Sequence, residues 1–118
     1  MVREKSHHHP DANRVPRTLR REHRETIYIA DDLTPTQYRC VLAHEISHAK
    51  HRDRGGHADR YTEQRADIEA ARMLISQVEY QTAENIYDGD ETLMAKEMNV
   101  MPWIIQAHKQ WLHDNVAA

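Results

Sequence analysis

The chain has 118 residues and a mass of 13.9 kDa, which allows one domain with a modest core and excludes a multi-domain assembly. It is 39% apolar and 30% charged, with a mean hydropathy of −0.91, and no apolar run nears the roughly 20 residues of a membrane helix, so a helical membrane span is excluded. Its net charge of −3 divides unevenly, with 12 Lys/Arg against 9 Asp/Glu in residues 1–60 and 4 against 10 in residues 61–118, while a single cysteine, Cys40, rules out an intramolecular disulfide and any site of two thiolates.

Residues 1–24 contain Pro10 and Pro16, few large apolar side chains and a run of Arg14, Arg17, Arg20, Arg21 and Arg24. They read as a basic, flexible arm. The arm has no apolar segment of the kind a secretory signal carries, so an intracellular, cytoplasmic protein is expected. His7, His8 and His9 stand in a row there without a geometry that would make them a site. Thr26-Ile27-Tyr28-Ile29-Ala30 is β-branched and aromatic and reads as one short strand. Thr34 is a suitable N-cap and Pro35 a suitable first helical residue, which predicts a helix to about Arg52, with Gly55-Gly56 as its exit. An Ala-rich run from Tyr61 to Val78 predicts a second helix, and residues 79–87 a third. Asp88-Gly89-Asp90 is a turn, followed by helices over 91–98 and 102–113. The fold class is α+β and mostly helical, divided as an arm over 1–24, a core over 25–87 and a C-terminal helical pair over 88–118.

The chain holds 10 histidines, and two of them are organised: His44-Glu45-Ile46-Ser47-His48 is an HExxH sequence within the first helix. Chance alone gives roughly 0.07 such matches at this composition, so spacing must be weighed with context. Histidines four apart lie on one helical face about 6 Å apart at Cβ, within reach of one zinc ion. Glu45 falls about 100° round the helix, where it can meet a water without being a ligand. Tyr38, Leu42, Ile46 and Ala49 form the apolar stripe beside them. A third histidine in the HExxHxxGxxH pattern would occupy position 54, which is Arg54; His51 is on the same helix, and His57 follows the glycines. In the second helix, Glu63, Ala66, Asp67, Ala70 and Leu74 share one stripe, so two carboxylates face inward and need a cationic partner, while Glu69 lies on the opposite, solvated face.

Glu63-Gln64-Arg65-Ala66-Asp67 resembles the second motif of glutamate-liganded zinc peptidases. The stretches LTPTQYRCVLAHEISHAKHRD and YTEQRADIEAARMLI together resemble the ImmA/IrrE-type metallopeptidases of phages, mobile elements and bacteria, over about residues 26–78. Ser47, where members often have Gly, and Glu69, where they often have an aromatic residue, are departures that remove no ligand. The resemblance implies a small zincin-like core of short strand, HExxH helix and third-ligand helix, with a helical C-terminal part. It implies one Zn2+ per chain on His44, His48 and Glu63, Glu45 as general base, and Asp67 accepting a hydrogen bond from His44 or His48. The activity implied is zinc-dependent endopeptidase cleavage of a protein substrate, a DNA-binding helix-turn-helix repressor. Tyr61, His57 and Tyr28 are candidates to stabilise the oxyanion, and the 26–30 strand offers an edge for an extended substrate. The first alternative is a zinc-scaffold protein that binds a repressor without cleaving it, against which an intact Glu45 argues; the second is a DNA-binding helix-turn-helix protein, against which the acidic C-terminal half argues.

Ala95, Asn99 and Ile105 give the C-terminal pair a helix-turn-helix layout. Lys109 is the only Lys or Arg after Pro102, in an acidic half, so direct nucleic-acid binding is not expected. Trp103, Ile104, Trp111 and Leu112 are expected to close the core, Cys40 to be buried outside the site, and His108 and His113 to lie on the surface. The oligomeric state is left open.

Overall fold

The computed structural model describes residues 2–4, 18–21, 26–53 and 59–116. Three strands, β1 (Val2–Glu4), β2 (Thr18–Arg21) and β3 (Thr26–Ala30), make one sheet in the order β1-β3-β2. β1 runs parallel to β3 with Val2 opposite Tyr28, and β2 runs antiparallel with Thr18 opposite Ile29. The predicted strand is therefore the central one, with both its edges paired, so it offers no edge to a substrate. Two of the three strands come from within residues 1–24, whose low apolar content hides them; backbone pairing to β3 supplies what their side chains do not signal.

Among the described residues five helices follow: α1 (Pro35–Lys50), α2 (Arg60–Leu74), α3 (Gln77–Tyr87), α4 (Glu91–Met98) and α5 (Pro102–Val116). α1 opens with a capping box: Gln37 N–H donates to Thr34 Oγ1 at 3.1 Å and Thr34 N–H donates to Gln37 Oε1 at 2.9 Å. Asp59 caps α2 by accepting from Thr62 N–H at 2.7 Å. The helix expected to run to Val78 stops at Leu74, because Ser76 and Glu79 form a second capping box that starts α3. The extended residue between the helices, Ile75, is buried in the core.

α1 packs on α2 and α2 on α5, with α4 against α5. One apolar core joins them, with Cys40 and Ala43 from α1, Ala70 and Ala71 from α2, Tyr80 from α3, Met94 from α4, and Ile104 and Ile105 from α5. The expected stripe on α1 is displaced. Tyr38, Leu42, Ile46 and Ala49 are only half-buried, while Cys40, Ala43, His44, Glu45, Ser47 and His48 are buried. The reason is packing: Ala66 and Ala70 of α2 are fully buried and let the polar ridge of α1 approach closely, where its side chains find partners.

The C-terminal pair is keyed to α1 through its turn. Asn99, in the left-handed region at φ 57°, ends α4; its Oδ1 accepts from Thr36 Oγ1 at 2.6 Å and its carbonyl accepts from Arg39. Ala95 and Ile105 on either side are buried, as their helix-turn-helix positions predict, and Trp103 and Ile104 join the core. His108, expected on the surface, is buried instead, its ring 4.5 Å from that of Tyr80 and its Nε2 2.8 Å from Gln77 Oε1; His113 is exposed. Among the described residues no helix is long and apolar enough to cross a membrane.

The capping geometry and the core carry separable stabilities. Ser76→Ala is expected to cost about 1 kcal/mol through loss of the α3 cap, and Ile105→Ala about 2–5 kcal/mol through a core cavity. Urea unfolding followed by circular dichroism measures both; a smaller cost for Ile105→Ala than for Ser76→Ala would contradict this division.

Candidate metal centre

α1 ends at Lys50, and three residues later the chain has folded back on the helix. Arg52 takes the left-handed conformation at φ 56°, Asp53 N–H donates to the His48 carbonyl at 2.9 Å and Arg52 N–H donates to the Ala49 carbonyl at 3.1 Å. This is a Schellman ending, formed here without glycine. It returns the Asp53 carboxylate to the face from which His48 projects.

Both imidazoles are buried, with His44 1% and His48 3% exposed. His44 Nδ1 is 2.9 Å from Asp67 Oδ1, and His48 Nδ1 is 2.9 Å from Asp53 Oδ2. A carboxylate can only accept, so each Nδ1 carries the proton and donates, and each Nε2 is left with a lone pair. The two Nε2 atoms stand 3.1 Å apart, and Glu63, on α2, brings Oε1 to 3.2 Å from His44 Nε2 and Oε2 to 3.0 Å from His48 Nε2.

With both rings neutral, three acceptor lone pairs thus converge on one point. Only a cation at their centre, a proton or a metal, relieves the repulsion. Ligands held at about 2.0 Å in a tetrahedron lie about 3.3 Å apart, close to the separations found here. His44, His48 and Glu63 are the group among the described residues able to share one metal ion, and the donor set of two imidazoles and a carboxylate suits a small divalent ion.

Glu45 is buried beside the cluster, and its charge helps hold protons on both imidazoles. Asp67 is buried; it meets His44 rather than His48. Of the residues named as oxyanion candidates, Tyr61 is 71% exposed on α2. His57 and the side chain of Tyr28 lie outside the described residues, as do His7, His8, His9 and Gly55-Gly56. Glu69, expected to be solvated, faces α1: it accepts from Ser47 Oγ at 2.6 Å and from His51 Nε2 at 2.9 Å. The short Ser47 side chain leaves room for this contact, which also keeps His51 away from the cluster. Asp53 is the residue that sequence periodicity does not reveal, because its position depends on a left-handed Arg52 that no glycine marks.

The electrostatics follow the geometry. Burial opposes charge on His44, but the hydrogen bonds to Asp67 and Glu63 prevail and push its pKa up to about 9. His48 is raised in the same way by Glu63 and Asp53, and hydrogen bonds from His44 and His48 hold the Glu63 carboxyl well below the usual range. A cleft of about 530 Å³ opens beside the cluster, lined by Glu63 and Asp67 and by Gln64, Trp103, Gln106 and Gln110.

The raised His44 pKa makes the metal-free fold pH-dependent in a defined direction. Its contribution is complete below the ordinary value of 6.5 and is lost as pH rises through about 9, while the contribution of Glu63 is present above 4.5 and is lost on acidification. Metal-free protein is therefore expected to be most stable between these limits and to weaken towards pH 9; a saturating divalent metal should flatten the alkaline decline. Thermal unfolding across pH 4–10, with chelator and with metal, checks this, and a metal-free protein that strengthens from pH 7 to 9 would contradict it.

The family model described as the IrrE N-terminal-like domain, Peptidase_M78, matches residues 3–106. No curated protein and no solved structure gives a significant match. The matched span runs from β1 into α5 and contains His44, His48 and Glu63, and the chain belongs to the IrrE N-terminal-like family of peptidases.

Proposed function

We propose that the protein is a zinc-dependent endopeptidase whose substrate is a DNA-binding repressor. The observation that carries the catalytic reading is the convergence of His44 Nε2, His48 Nε2 and the Glu63 carboxylate, with both Nδ1 atoms already committed to carboxylates. His44, His48 and Glu63 would hold a zinc ion, which would lower the pKa of a water and polarise the scissile carbonyl. Glu45 lies one residue from His44 on the same helix, buried and outside the ligand set. Its carboxylate would take the proton of the attacking water and return it to the leaving amine, which makes a peptide bond the fitting substrate. Asp67 holds His44 in the tautomer that presents Nε2 to the ion.

A protein partner is favoured over nucleic acid by charge. α5 carries one lysine, Lys109, and that lysine pairs with Glu91 at 2.6 Å, so the helix-turn-helix layout lacks the cations that phosphate contacts require. The repressor as substrate follows from the resemblance to ImmA/IrrE-type peptidases, and a cytoplasmic location goes with it.

The purified protein should contain one zinc per chain by mass spectrometry of its metal content, and His44→Ala should lose it. Glu45→Gln should keep the metal and lower cleavage of a repressor substrate by about 100-fold or more. Full activity in Glu45→Gln would rule out the general-base role, and binding of a repressor without cleavage by the wild type would turn the reading towards a zinc scaffold that sequesters its partner.

A further inference from the structure

We propose that Asp53, held in place by Arg65, is the positioning residue for His48, so that a clamp across the two ligand-bearing helices fixes the metal site; this rests on the metallopeptidase reading above. Asp53 Oδ2 accepts from His48 Nδ1 at 2.9 Å, and the same oxygen accepts from an Arg65 guanidinium N–H. Asp53 belongs to the returning end of α1, and Arg65 belongs to α2, two residues beyond the ligand Glu63. One carboxylate oxygen therefore ties the second histidine of α1 to the helix that delivers the third ligand.

Three features make this more than a surface ion pair. The Schellman ending fixes the Asp53 backbone through its own N–H bond to the His48 carbonyl, so carboxylate and ring are tied to the same residue twice. The group is shielded from water, with the His48, Asp53 and Arg65 side chains 3%, 15% and 23% exposed. Arg65 also gives the oxygen that holds His48 a second, charged hydrogen bond from α2, which fixes the orientation of the carboxylate. His44 has its own acceptor, Asp67, from within α2, so each histidine is oriented by a separate carboxylate.

The test is Zn2+ affinity by chelator competition, with the visible spectrum of the Co2+-substituted protein as a readout of ligand geometry. Asp53→Ala should weaken Zn2+ binding about 10- to 100-fold and shift the Co2+ bands. Asp53→Asn, whose amide oxygen still accepts from Nδ1, should restore most of the affinity and the wild-type bands. Arg65→Ala should weaken binding less, shift the bands in the same direction, and add nothing in the Asp53→Ala background. If Asp53→Ala does not fold, Arg65→Ala alone decides, since a merely structural ion pair would lower stability and leave the Co2+ spectrum unchanged. Wild-type affinity and spectrum in Asp53→Ala, or in Arg65→Ala where that variant decides, would overturn the clamp. Wild-type protein that binds no Zn2+ would overturn the metallopeptidase reading and the clamp together, whereas tight Zn2+ binding insensitive to Asp53 would overturn the clamp alone.

Discussion

Two buried imidazoles with their Nδ1 atoms already bonded to carboxylates can only turn their Nε2 lone pairs towards each other and towards Glu63. That arrangement is unfavourable in an apolar interior unless a cation sits at its centre, and much of the surrounding structure maintains it. Ala66 and Ala70 bring α2 close enough for Glu63 to reach α1. A larger residue at either position would hold the helices apart and open the ligand set. The Trp103 ring stands edge-on to His44 at 6.0 Å and places α5 behind the first histidine. The C-terminal helices are thus part of the wall of the site.

The same logic explains where the helical pair attaches. Asn99 bonds to Thr36 and Arg39 in the first turns of α1, and Met101 N–H donates to Cys40 Sγ at 3.3 Å. These contacts hold the N-terminal half of α1, while Asp53 and Glu69 hold its C-terminal half through Arg65, Ser47 and His51. The HExxH segment lies between the two sets of ties. A ligand helix fixed at both ends keeps its histidines within the narrow geometry a metal needs without requiring a large core.

Much of this was legible in the sequence, and the parts that were not share a cause. Thr34-Pro35 and the Ala-rich run place α1 and α2 because capping and propensity act within one turn. The four-residue spacing of His44 and His48 and the stripe carrying Glu63 and Asp67 are local properties of helices, so the candidate metal-binding group could be read. Asp53 could not, because its approach depends on a left-handed Arg52 with no glycine to mark it. β1 and β2 escaped notice because pairing to a distant strand, rather than their own composition, makes them strands. Helical phase puts Glu69 on the solvated face and His108 is also expected at the surface, yet each meets a specific partner on another helix, Ser47 in one case and Gln77 in the other. Long-range polar pairing was the hidden variable throughout.

Charge balance links the clamp to the chemistry. With a divalent ion on the site, the ion and Arg65 contribute three positive charges. Glu45, Glu63, Asp67 and Asp53 contribute four negative ones, so the partly buried group would carry one net negative charge. A net charge in a partly shielded group is costly, and Arg65 keeps that excess to one. Removing the Arg65 charge would leave a second uncompensated negative charge beside the candidate metal site. On this reading Arg65 serves two ends through one hydrogen bond: it orients His48 by way of Asp53, and it offsets one of the carboxylate charges gathered around the candidate site.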